Sequence, residues 1–104
     1  MGVAPHFGTR VVLISPEGES EPLLFKLEFG NTNNMEKYEA LLLRITFTKE
    51  RGIELLKAQG DAKLVVHQVK GKYSVKYHRL KNYRNRVWDE IEELDAFSIT
   101  SVPR

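Results

Sequence analysis

The side chains best equipped for chemistry are gathered in one cationic stretch. Between Ala62 and Trp88 no acidic residue occurs, while Lys63, Lys70, Lys72, Lys76, Arg79, Lys81, Arg84 and Arg86 are basic, with Tyr73, Tyr77 and Tyr83 interleaved among them. Cationic side chains at this density neutralise phosphates and aromatic faces stack bases, so the pattern suits a nucleic-acid surface. A second reading needs no ligand: Tyr83 sits in a core and the lysines form the solvated face of a helix. Asp89, Glu90, Glu92, Glu93 and Asp95 then reverse the sign, which is charge segregation on a folded domain rather than a basic tail.

Other chemistries find less support. His6, His67 and His78 lack the spacing and carboxylate partners of a metal site or a catalytic triad, which leaves them surface or hydrogen-bonding roles. Ser98, Thr100 and Ser101 suit a strand face and offer no activated nucleophile, and Trp88 reads as packing. The absence of cysteine excludes disulfides and thiolate metal sites.

These residues must be positioned by a single domain, since 104 residues support one modest core. With 41% hydrophobic and 29% charged residues and a net charge of +2, the composition is that of a globular protein. No apolar run approaches the roughly 20 residues of a membrane span, and the start lacks the basic-then-apolar order of a secretory signal. Met1-Gly2 is followed by His6 where an acylation signal wants serine or threonine. An intracellular protein, cytoplasmic or nuclear, is expected.

Residues 10–14 form a β-branched run, Ser15-Pro16-Glu17-Gly18 supplies a turn, and Leu23, Phe25, Leu27 and Phe29 alternate with Leu24, Lys26 and Glu28, which together predict an antiparallel hairpin. Loop and cap residues from Gly30 to Asn34 precede a helix over 35–51, stopped by Gly52. Its stripe is Tyr38, Leu41, Leu42, Ile45 and Thr48, widened by Leu43 and Phe47. A strand over 53–59 follows, then a short helix over 62–69 that should bring Leu64, Val65 and Gln68 together. A long helix over 78–94 is marked by Leu80, Tyr83, Val87, Ile91 and Leu94, and a last strand covers 97–102. Repeats, low-complexity segments and linkers are not in view.

Two blocks carry a family resemblance. Thr32-Asn33-Asn34-Met35-Glu36-Lys37-Tyr38-Glu39-Ala40-Leu41-Leu42 and Gly60-Asp61-Ala62-Lys63-Leu64-Val65-Val66-His67-Gln68-Val69-Lys70-Gly71 resemble the ribonuclease H domain of plant LTR-retrotransposon polyproteins, whose members read roughly TNNEAEYEALL and GDSQLVVNQVKG at the same separation. Residues 8–18 resemble that family's GAGVVLISPEG, and residues 97–104 its FEIEHVPR. The resemblance implies an α/β fold, a ribonuclease H-like mixed sheet with flanking helices, whose central first strand is missing or shortened here. In the family the strand order is 3-2-1-4-5. Loss of the first strand would leave two open edges, one on the hairpin and one on the strand ending at Gln59, closed by a short strand from Met1–Phe7, by the two halves meeting, or by a partner's strand.

The family cleaves the RNA strand of an RNA–DNA hybrid with two Mg²⁺ ions about 3.5 to 4 Å apart, held by clustered carboxylates. Of four family carboxylates only Asp61 has a counterpart, because Lys37 replaces the second and the first and last find no match. Helical rotation of about 100° per residue turns Glu36 and Glu39 away from position 37. The resemblance therefore implies a vestigial catalytic Asp61, with Lys37 in ion-pair contact supplying the positive charge of the lost Mg²⁺, and no bound cofactor. It carries nucleic-acid contacts over to Asn33 and Asn34, beside the basic Lys63, Lys70, Lys72, Lys76, Arg79 and Lys81. Three functions follow in order of expectation. The first is a catalytically inactive, retrotransposon-derived protein acting through a protein partner or a homo-oligomer at exposed sheet edges. The second is RNA or hybrid binding without cleavage, and the third an Mg²⁺-dependent ribonuclease H completed by another chain.

Overall fold

The computed structural model of the chain describes residues 10–14, 21–30 and 32–103. The substitute strand expected at Met1–Phe7 and the turn at Ser15-Pro16-Glu17-Gly18 lie outside those residues. Seven elements follow in the predicted order: β1 (Arg10–Ile14), β2 (Leu23–Glu28), α1 (Asn34–Glu50), β3 (Leu55–Gly60), α2 (Lys63–Val69), α3 (His78–Glu92) and β4 (Ala96–Ser101). Their ends depart from the sequence reading by a residue or two, as helix and strand termini commonly do.

The strands form one mixed sheet in the order β1-β2-β3-β4. β1 and β2 are antiparallel, with Leu13 opposite Phe25. β2 and β3 run parallel with Leu27 beside Gly60, and β3 and β4 run parallel with Ala58 beside Ile99. This corrects the expectation of an open edge on the strand ending at Gln59, because β3 is paired on both sides. Of the three outcomes considered, the two halves close on each other. They do so through the second strand of the hairpin, where the family order would put the first nearer the centre. The pattern of the two strands accounts for the choice. β2 has one apolar face, Leu23, Phe25 and Leu27, all buried, whereas the apolar residues of β1 fall on both faces and Val12, Leu13 and Ile14 stay exposed. A strand with one face to bury belongs in the interior, and one without a preferred face is left at the edge.

The two parallel crossovers step in the same direction across the sheet, and connections of one hand then put their helices on the same face. On that face Phe25, Leu27, Leu56 and Ile99 meet Tyr38, Leu41 and Ile45 of α1, Val65 and Val66 of α2, and Val87 of α3. The opposite face carries Lys26, Glu28, Lys57 and Ser98, all exposed.

Helix α1 starts on a side-chain cap: the Glu36 N–H donates to Asn33 Oδ1 at 2.9 Å. It stops at Gly52, which takes φ +79° and donates its N–H to Lys49 O at 2.9 Å. The stripe Tyr38, Leu41, Leu42, Ile45 and Thr48 is buried as predicted. Leu43 does not widen it, being 52% exposed, and Phe47 is half-buried with the Arg44 and Arg51 guanidinium groups over its ring at 5.4 and 4.6 Å. In α2 the buried residues are Val65, Val66, Gln68 and Val69, while Leu64 points outward, contrary to expectation. Lys49 ties α1 to α3, its ammonium donating to Glu93 Oε1 at 2.6 Å and to Glu90 Oε1 at 2.9 Å.

Candidate nucleic-acid interface

The starts of α1 and α3 lie side by side and enclose a trough. Its first lobe, about 470 Å³, is lined by Asn33, Asn34, Met35, Tyr77, His78, Arg79 and Leu80. A second lobe of about 300 Å³ is lined by Met35, Arg79, Asn82, Tyr83 and Arg86, so Met35 and Arg79 belong to both. Asn33, Asn34 and Arg79, far apart in sequence, are thus brought to one surface. Beside the second lobe the Tyr83 hydroxyl donates to Glu39 Oε1 at 3.1 Å, and burial, then that carboxylate, raises the Tyr83 pKa. Because Asn33 Oδ1 is taken by the helix cap, its amide N–H₂ is the group left to meet a ligand.

Lys63, Lys70 and Lys72 gather elsewhere, around His67 on α2. Gly71 adopts φ +81°, and both Lys72 and Tyr73 donate backbone N–H groups to His67 O, at 2.9 and 3.2 Å. That reversal brings the Tyr73 ring to 4.9 Å from the imidazole. Desolvation, then the charges of Lys72, Lys63 and Lys70, push the His67 pKa below its ordinary value. Lys76 and Lys81 are exposed and line neither lobe of the trough. The sequence reading of a nucleic-acid surface left out Met35, His78, Leu80 and Asn82. Asn82 was findable, since Arg79, Asn82 and Arg86 recur at helical spacing.

Behind this surface two polar side chains keep defined partners. The Tyr38 hydroxyl donates to Gln68 Oε1 at 2.7 Å, and burial pushes that phenol up to about 12, partly offset by Arg84. The Trp88 indole N–H donates to Val69 O at 2.8 Å beneath the Arg84 guanidinium, 4.0 Å from its ring, which confirms the packing role expected of it.

Asp61 follows the last residue of β3. Its Oδ1 accepts the Phe29 N–H at 3.1 Å and its own N–H donates to Leu27 O at 3.3 Å, so the residue fastens β2 to β3. Lys37 is half-buried in the first turn of α1, and the expected ion pair with Asp61 is absent from the described ion pairs, which are Arg10–Glu28, Lys49–Glu90 and Lys49–Glu93. Asp61 instead shares a cavity of about 390 Å³ with Lys26, Leu27, Glu28, Gln59, Val102 and Pro103. Mg²⁺ demands several anionic oxygens. Of the two carboxylates among the described lining residues, Glu28 lies 3.7 Å from the Arg10 guanidinium and Asp61 accepts a backbone N–H, and Lys26 lines the same cavity. Among the described residues no three His, Asp or Glu side chains converge. No helix among the described residues is long and apolar enough to cross a membrane.

The chain is similar to ribonucleases H in sequence and structure. It is 32% identical over 73 residues to ribonuclease HI of Halobacterium salinarum, an alignment that covers 70% of this chain and 37% of that protein. The crystal structure of ribonuclease H1 from the same halophilic archaeon superposes with a TM-score of 0.71 at 27% identity, covering 93% of this chain and 76% of that one. The N-terminal ribonuclease H domain of a Mycobacterium tuberculosis protein gives 0.67 at 26% identity over 70% of this chain and 56% of that one. The LC11 ribonuclease H1, solved in complex with an RNA/DNA hybrid, shares the fold with a TM-score of 0.67 at 24% identity, over 90% and 72% of the two chains. A profile of the reverse transcriptase-like family matches residues 8–104, and with the sheet, the helices and the Gly60-Asp61 junction described above the chain belongs to that family as a ribonuclease H-like domain.

Proposed function

We propose that this chain is a nucleic-acid-binding ribonuclease H-like module that holds RNA or an RNA–DNA hybrid without cleaving it by itself. The observation that carries the reading is the trough, which joins Asn33 and Asn34 to Arg79 and Arg86 on one accessible surface. The hybrid bound to the LC11 ribonuclease H1 lends the ligand class. Non-cleavage is supported by Asp61 serving as a backbone acceptor and by Lys37 standing where the resemblance wants a glutamate. The module needs no Mg²⁺ of its own on this reading, and the motif wording supports descent from a plant LTR retroelement.

A salt titration of gel-shift affinity tests it. Binding to a 16-base-pair hybrid should weaken steeply with salt, and Arg79→Ala should flatten the log–log slope by about 1. Incubating labelled hybrid with Mg²⁺ beside Asp61→Asn should leave the RNA strand intact in both. Cleavage that Asp61→Asn abolishes would favour the third reading, a ribonuclease completed by another chain.

A protein-partner reading keeps one observation in its favour: β1 presents exposed Val12, Leu13 and Ile14 at the margin of the sheet. Light scattering over a concentration series separates the two, since association that rises with concentration and ignores nucleic acid supports an interaction protein.

A further inference from the structure

We propose that the first lobe of the trough receives an unpaired nucleotide, its base stacked on Tyr77, so that the module prefers a single strand to a duplex; this rests on the nucleic-acid reading above. Tyr77 precedes the first turn of α3 and is 75% exposed, well beyond Tyr73 at 41%. Its side chain makes no capping bond to the helix it introduces. A large ring so exposed, with no such structural duty, is a platform that can offer a face to a ligand. Tyr83 makes the contrast, because its hydroxyl is anchored to Glu39 and its ring is half-buried as a wall of the second lobe.

The surroundings match a nucleotide part by part. Met35 and Leu80 give the lobe an apolar lining against which a base can lie. Asn34 brings an amide that both donates and accepts, as the polar edge of a base does. Arg79 borders both lobes and Arg86 lies seven residues further along α3, about 10.5 Å along the helix axis at 1.5 Å per residue, so a strand leaving Tyr77 along α3 meets a second guanidinium for its phosphates. A paired base has both faces covered by its neighbours and reaches a ring only by being pulled from the stack, which costs a few kcal/mol. An unpaired base offers its face at once.

The test uses fluorescence anisotropy with a labelled 12-nucleotide RNA, the same RNA annealed to complementary DNA, and the same RNA with its bases removed at alternate positions. The wild-type chain should bind the intact single strand more tightly than the hybrid, and base removal should weaken binding. Tyr77→Ala should weaken single-strand binding about tenfold, in line with the loss of one aromatic stacking contact, and abolish the difference between intact and base-depleted RNA. Tyr77→Phe, which keeps the ring, should restore both. Equal weakening of single strand and hybrid by Tyr77→Ala, or no effect of base removal on the wild type, overturns stacking while leaving nucleic-acid binding intact. Failure of the wild type to bind either form overturns both readings.

Discussion

Phe29 lies close against the Gly60-Asp61 pair. Its N–H bonds Asp61 Oδ1, and a Cβ built on Gly60 would stand 3.1 Å from the edge of its ring. Asp61→Ala leaves that N–H without its acceptor and should lower unfolding stability in urea by about 1–2 kcal/mol, whereas Asp61→Asn keeps an acceptor oxygen and should lose less. A separate expectation attaches to His67. Its folded-state pKa lies below the ordinary value because of burial and the lysines around it, so the unfolded chain binds its proton more readily. The His67 contribution is therefore complete above the ordinary histidine value of about 6.5 and is lost as pH falls through it. Melting temperature should fall between about pH 7.5 and pH 5.5, and His67→Gln should fall less over the same interval. At this scale the sequence was partly legible. Asn33 could be read as a cap because the bond spans three residues, but the use of Asp61 depends on Phe29, 32 residues away.

Among the elements, α1 and α3 are joined by Lys49 as well as by the Tyr83–Glu39 bond. Burial works to lower the Lys49 pKa and is outweighed by its bonds to Glu93 and Glu90, which leave it raised. Lys49→Ala removes two carboxylate contacts and a bond to Glu90 O at 3.1 Å. A loss of about 0.5–1.5 kcal/mol is expected, smaller in high salt because both carboxylates reach solvent, and chemical denaturation at two ionic strengths measures it. Element types were readable because hydrophobic period separates helix from strand: the 3-4 spacing from Leu80 to Ile91 and the alternation from Leu23 to Leu27 reappear as α3 and β2. Outward-pointing Leu43 and Leu64 were not readable, since an apolar residue beside a stripe looks the same whether or not a neighbour covers it. Nor was the partner of β3. Pairing depends on which strand has one face to bury, and that comparison requires knowing where the helices lie.

The molecule as a whole is one-sided, with every described helix on one face of the sheet and β1 at its margin. If that margin mediates association, Leu13→Lys should shift the light-scattering mass toward the monomer and leave the helical circular dichroism unchanged, because Leu13 is exposed and a lysine at a sheet edge opposes edge-to-edge pairing. The sheet has another property, visible in its order. Each described strand lies beside the one preceding it in the chain, with none inserted later between earlier pairs. Such a sheet can be assembled in the direction of synthesis, one strand docking on the last as it becomes available, with α1 supplying the apolar cover for β2 before β3 arrives. In the order 3-2-1-4-5 the first strand pairs early with the second and keeps its other edge open until the fourth arrives. In this chain the growing edge of the sheet is always the newest strand, so a ribosome-bound intermediate ending after α1 should expose the edge of β2 until β3 emerges to occupy it.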